Sequence, residues 1–145
     1  MTEPVIQVPA LDTARLQLRC PMIEDAPAAH QAYGDPEAMR FWDMPPSIDL
    51  EETERRLKRA LSVERQWHAT WPYWLGPMAS FPTMSSLARL ALGWILISRF
   101  QRRRFMEEAT RAVLTHCFTT LNTHRVEAEI EPHNHRSARL AQRPL

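Results

Sequence analysis

The stretch Gln101-Arg102-Arg103-Arg104-Phe105-Met106 stands where an apolar run hands over to a long helical pattern. A helix start offers unpaired N–H groups and a partial positive charge, so it suits an anion. Three consecutive arginines there either join an anion site or block one. Asn134 opens another helical pattern, where its side chain suits an N-cap. Glu127, Glu129 and Glu131 alternate with Val126, Ala128 and Ile130, the pattern of a strand whose acidic face is solvated. His133 and His135 flank Asn134, but His-x-His without a third positioned ligand does not predict a metal site. Trp67, Trp71, Tyr73 and Trp74 cluster and could stack a ring, although packing at a core or sheet edge explains them as well.

The elements that hold these residues belong to one domain, since 145 residues is a single-domain length able to bury a core. At 44% hydrophobic and 24% charged, the composition is globular. A net charge of +1 supplies no field toward nucleic acid, and the arginine run with nearby aromatics is the whole case for it. Of the 18 Lys and Arg residues only Lys58 is a lysine, a bias that genomic base composition explains as readily as function. Only three glycines are present (Gly34, Gly76 and Gly93), which excludes the P-loop and dinucleotide fingerprints. Cys20 and Cys117 form no Cys-x-x-Cys pair and require no oxidising compartment. The start, MTEPVIQVPA, lacks the pattern of a signal peptide, and the longest apolar run, LALGWILI, is too short to span a bilayer. A cytoplasmic location without membrane contact is the expectation.

Alternation of Leu16, Leu18 and Cys20 with charged or polar neighbours predicts a strand over 14–20. Residues 22–42 read as two short helices broken at Gly34, with Asp35 as N-cap and Pro36 at the first helical position. Asp49 and Glu52 have capping-box spacing at the head of a helix over 49–67 striped by Leu50, Leu57 and Leu61. Prolines at 72, 77 and 82 interrupt any sheet interior, so 68–88 reads as short, irregular or edge strands. Residues 87–98 form a central strand, apolar on both faces from Leu90. A helix follows over about 103–121, with Phe105, Ala109, Ala112, Val113, Cys117 and Leu121 on one side. A strand over 124–132 and a helix starting at Asn134 complete the order. That order predicts an α+β fold, an α/β sandwich with a mainly antiparallel sheet and one crossover.

Three blocks carry a family resemblance: LDTARLQLRCPMIEDAPAAHQAYGDPEAMRFW, LGWILISRFQRRRFMEEATRAVLTHCF and HRVEAEIEPHNHRSARLAQR. In order and spacing they resemble GNAT acyltransferases, nearest the branch with ribosomal-protein N-terminal acetyltransferases. The resemblance implies acetyl-CoA as co-substrate and an amine acceptor, a small molecule or a protein N-terminus, that attacks the thioester directly. It also implies splayed central strands, with 90–98 and 125–131 roughly parallel and the helix crossing between them.

In this family the turn after the central strand reads Q/R-x-x-G-x-G/A, and its backbone amides bind the CoA pyrophosphate. Gln101 and Met106 fit that pattern, while Arg104 stands at the key glycine and Arg102 where a second often occurs. The resemblance thus marks Gln101, Arg102, Arg103, Arg104, Phe105 and Met106 as cofactor-binding. The arginines swing outward and bind phosphate directly, or Arg104 occupies the site so that CoA binds weakly or not at all, or the run is simply an arginine-rich surface turn. The E/D-P-x-N-x-x-S block implies that Asn134 helps hold the cofactor and that Ser137 lies near the sulfur, as the catalytic hydroxyl that donates to the leaving thiolate. The family often places an acid on the central strand; here the slot falls on Ala91, which cannot act. The family's chain also continues past the Asn block into further strands, whereas SARLAQRPL stops. The expectation is therefore a domain over 1–145 lacking its last strands, with an exposed edge at 125–131 that favours self-association. The alternative is an inactive remnant or interaction protein that keeps the fold without the chemistry.

Overall fold

Chain order in the computed structural model runs β1 (Leu11–Asp12), β2 (Gln17–Leu18), α1 (Ala26–Tyr33), α2 (Leu50–Ser62), β3 (Gln66–His68), β4 (Gly76–Ser80), β5 (Arg89–Ile95), α3 (Phe105–Thr119), β6 (Arg125–Glu127) and α4 (His135–Gln142). The residues described are 10–19, 21–62, 66–68, 76–80 and 89–143. Cys20, Trp71, Tyr73, Trp74 and the prolines at 72 and 82 lie outside them.

β3, β4, β5 and β6 form one sheet in that order. β3–β4 and β4–β5 are antiparallel, and β5–β6 is parallel, with α3 as the crossover. β1 and β2 form a separate antiparallel pair. Pairing of β5 with β6 ends at Ala91↔Glu127, while β5 continues beside β4 to Gly76↔Ile95. From Leu92 to Ile95 the edge of β5 facing β6 therefore has no strand against it among the described residues. The two strands part as the splayed arrangement requires.

β5 forms the middle of the sandwich because successive side chains alternate between its faces. Trp94 and Leu96 pack toward α3 with Leu16, Leu18, Ala109, Val113 and Cys117. Ile95 and Ile97 pack on the other side with Ala26, Ala29, Ala32, Met39 and Leu57. Burial inside the first layer pushes the Cys117 thiol up to about 11, leaving it protonated and inert.

Four sequence expectations are corrected. The helix read over 49–67 ends at Ser62, and Gln66–His68 pairs with Met78–Ser80 as a strand. Cross-strand pairing outweighs helical periodicity there. Its Asp49–Glu52 cap is half reciprocal: Glu52 N–H donates to Asp49 Oδ1 at 2.8 Å, but Glu52 Oε2 accepts from Ile48 rather than Asp49. Leu50 is 40% exposed, and Thr53 takes the buried place beside Leu57. Asp35 does not cap a second helix; 36–41 are turns, in which Asp35 Oδ1 accepts from Glu37 N–H at 2.9 Å. Asp35 Oδ2 instead accepts from the Ser98 hydroxyl and ties this loop to the end of β5. Pro77 lies inside β4, paired with Trp94 of β5, and among the described residues no strand residue pairs with it on the other side. Finally, the strand read over 124–132 is three residues long, because β6 leaves β5 after Glu127.

Candidate functional site

After β5 the chain makes a tight turn, with Phe100 N–H donating to Ile97 O at 2.9 Å and Gln101 N–H to Ser98 O at 3.2 Å. Arg102 then adopts φ 66° and Arg104 φ 60°, both in the left-handed region, while Arg103 between them does not. These are the two positions at which glycine is expected. An L-residue in that conformation costs roughly 1–2 kcal/mol. The alternating sign of φ is the pattern by which successive backbone N–H groups form an anion-binding concavity.

Arg104 is the N-cap of α3, but its side chain makes no capping bond. Among the described residues, the amides of Arg104, Phe105, Met106 and Glu107 meet no acceptor. These open donors sit at the positive end of a 15-residue helix. Arg102, Arg103 and Arg104 are exposed and form no ion pair among the described residues. Arg104 borders a shallow groove with Thr13, Ala14, Arg15, Glu107, Glu108 and Arg111. Met106 is buried, and half-buried Phe105 lies under the Arg15 guanidinium, 4.5 Å from its ring centre. Those two side chains anchor the helix start, leaving their amides as the groups available to a ligand.

Two carboxylates in the first turn of α3 would repel a phosphate if left bare. Each is neutralised instead. Glu107 pairs with Arg111 at 3.5 Å and with Arg143. Glu108 accepts from Thr13 Oγ1, from Arg15 N–H at 2.8 Å and from Arg15 Nε at 2.7 Å. Burial pushes the Glu108 carboxyl up, but these hydrogen bonds and the Arg15 charge outweigh it and hold the group below its ordinary value. The carboxylate thereby fastens the β1–β2 turn to α3.

Asn134 caps α4, its Oδ1 accepting from Ser137 N–H at 3.3 Å. Ser137 Oγ accepts from Trp94 Nε1 at 3.1 Å. One residue earlier, Arg136 Nη1 donates to Gln101 Oε1 at 2.7 Å, and Gln101 Nε2 reaches Leu96 O at 3.4 Å. Gln101, Asn134 and Ser137 are thus brought together with the end of β5, while the arginines project outward. The Trp94 contact escaped sequence reasoning. Its place in an apolar alternation announced packing, and nothing in the pattern announced a polar partner.

Position 91 faces Glu127 at the last paired step of β5 and β6. Glu129 and Glu131 are exposed as expected of a solvated face, whereas Glu127 is half-buried and its Oε1 lies 2.6 Å from Arg125 Nε. Its position at the strand fork, not its place in the alternation, explains that difference. His133 Nδ1 lies 2.9 Å from Glu131 Oε1, closing the turn before α4. Among the described residues, no three His, Cys, Asp or Glu side chains group as a metal site, and no helix is long and apolar enough to cross a membrane.

Residues 15–143 match the acetyltransferase (GNAT) domain as a family. A curated relative, described as an uncharacterized N-acetyltransferase p20 from Bacillus licheniformis, is 28% identical over 138 residues, covering 90% of this chain and 78% of its own. A GNAT-family acetyltransferase from Bacillus anthracis superposes with a TM-score of 0.77 at 19% identity, over 92% of this chain and 81% of that one. A structure described as a putative ribosomal-protein-serine acetyltransferase from Vibrio cholerae gives 0.72 at 21%, over 91% and 79%. RimL, described as a ribosomal L7/L12 alpha-N-protein acetyltransferase in complex with coenzyme A, gives 0.74 at 18%, over 92% and 81%.

Proposed function

This chain belongs to the GNAT acetyltransferase family, and we propose that it transfers an acetyl group from acetyl-CoA to a primary amine, with protein N-termini the acceptor class to test first. The observation that carries the donor assignment is the turn at 102–104. Two non-glycine residues sustain left-handed backbone at the positions where the family uses glycine, and open amides follow at the head of α3. Strain of this kind persists where the surrounding structure enforces it, and it concentrates at ligand sites.

The residues present fit CoA. The amides of 104–107 and the guanidinia of 102–104, unpaired among the described residues, match its phosphates in charge and donor chemistry. The open edge of β5 over 92–95 suits a chain bearing amides, which pairs with a strand edge as another strand would. Bound there, acetyl-CoA supplies the activated thioester. The Ser137 hydroxyl accepts from Trp94, and its own proton meets no acceptor among the described residues, so it is free to donate to the departing sulfur. Asn134 fixes the backbone that carries this hydroxyl. We read the protein as a cytoplasmic enzyme built on one domain.

The acceptor class rests on analogy with the Vibrio cholerae neighbour and RimL, as they are described. Incubating the protein with acetyl-CoA and a panel of peptides with free N-termini, followed by mass spectrometry, tests both halves. Acetylated peptide is the expected result. CoA binding without transfer to any amine would favour the remnant reading. The absence of both binding and transfer would overturn the proposal.

A further inference from the structure

We infer that Trp94 is a positioning residue for acetyl transfer, its indole N–H holding the Ser137 hydroxyl so that the serine proton points at the reacting sulfur. This rests on the acetyl-transfer reading above. Trp94 lies on β5 beyond the point where β6 departs, and its indole links the strand to α4, 43 residues away in sequence. An indole nitrogen only donates, so at 3.1 Å the direction of the bond is fixed: Ser137 Oγ accepts.

That assignment constrains the hydroxyl twice. One oxygen lone pair is taken, which turns the O–H away from the indole. Accepting a hydrogen bond also polarises the O–H and makes it a stronger donor. The support is rigid, because Trp94 packs against the layer containing Leu16, Leu18, Ala109 and Val113. On the other side, Asn134 Oδ1 accepts from the serine amide. Gln101 and Arg136 join α4 to the turn after β5 by a second bond, which keeps the spacing between the hydroxyl and the open amides. A tryptophan N–H that merely found a convenient partner would have none of these consequences for turnover.

The test is a double-mutant cycle on the full chain, using Trp94→Phe, Ser137→Ala and the double variant. It measures kcat and KM for acetyl-CoA with an acceptor peptide, and CoA affinity by calorimetry. Trp94→Phe should lower kcat about tenfold, the size of one lost hydrogen bond, with CoA affinity within about twofold of the parent. In the Ser137→Ala background the same change should have no further effect. An equal loss in both backgrounds, or no loss at all, overturns the inference. If Trp94→Phe does not fold, Trp94→Leu is a second replacement without the donor and is judged by the same criteria. A nuclear magnetic resonance readout needs no turnover: Ser137→Ala should shift the Trp94 indole N–H signal, and an unmoved signal rules out the bond. A parent chain that transfers no acetyl group overturns the functional reading and this inference with it; a shifted indole signal would then show the bond to be purely architectural.

Discussion

Two helix starts face the end of β5, and they are finished in opposite ways. At α4 the first turn is closed: Asn134 accepts from Ser137 N–H, and the serine oxygen accepts from Trp94. At α3 the first turn is open. Its N-cap Arg104 contributes no side-chain bond, two of the three residues before the helix are in left-handed backbone, and four amides point at no acceptor among the described residues. A capping side chain typically stabilises a helix by about 1 kcal/mol, and left-handed arginine costs roughly 1–2 kcal/mol. The α3 turn thus gives up stability at the place where an anion would recover it. Under the proposed function, closure at α4 would hold a hydroxyl and openness at α3 would hold charge.

The largest effect expected from breaking this contrast is chemical and falls on the closed end. Ser137→Ala should reduce acetyl transfer by roughly 100-fold, the lower range for loss of a general acid. CoA affinity, which we assign to the open end, should stay near the parent value by calorimetry. A parallel loss of both would mean that the two ends share one task.

Next in size is the clamp that holds the open end in place. Glu108→Gln should destabilise the fold by about 2 kcal/mol in urea titration, since three donors lose a charged acceptor. The pH dependence has a definite sign. The folded Glu108 carboxyl titrates below the ordinary 4.5, so its contribution is complete above that value and is lost as pH falls through the folded value. The parent should therefore lose stability on acidification below 4.5 more steeply than the glutamine variant.

The smallest pair of effects should have opposite signs. Asn134→Ala removes a cap and should cost about 1 kcal/mol. Arg104→Gly removes a strained side chain and should add about 1 kcal/mol, because glycine adopts φ 60° freely. Thermal melting of the two variants against the parent measures both. A destabilised Arg104→Gly would show that the arginine side chain, not its backbone, holds the turn.

Much of this contrast was legible in the sequence, for reasons that differ by residue. Asn134 announces itself, since the capping residue and the helix it starts are contiguous. A single crossover through α3 follows from an apolar run, a helical pattern and an alternating run in succession, while the family resemblance supplied the parallel pairing of β5 and β6. The backbone of Arg102 and Arg104 was not legible from residue type, because arginine rarely takes positive φ; only alignment with a glycine pattern pointed there. Trp94 was hidden because an indole in an apolar strand looks the same whether or not its N–H has a partner. The 66–68 strand was hidden because its pairing partner lies ten residues or more along the chain, beyond the reach of a helical period.

If the amides at the head of α3 receive the phosphates of CoA, an amide-resolved titration will show it. With isotope-labelled protein and added CoA, the resonances of Arg103 to Glu107 should move first and furthest, and raising the salt concentration should weaken the effect because the contact is ionic. Resonances in that turn that stay still while others move, or that never move at saturating CoA, would contradict the account.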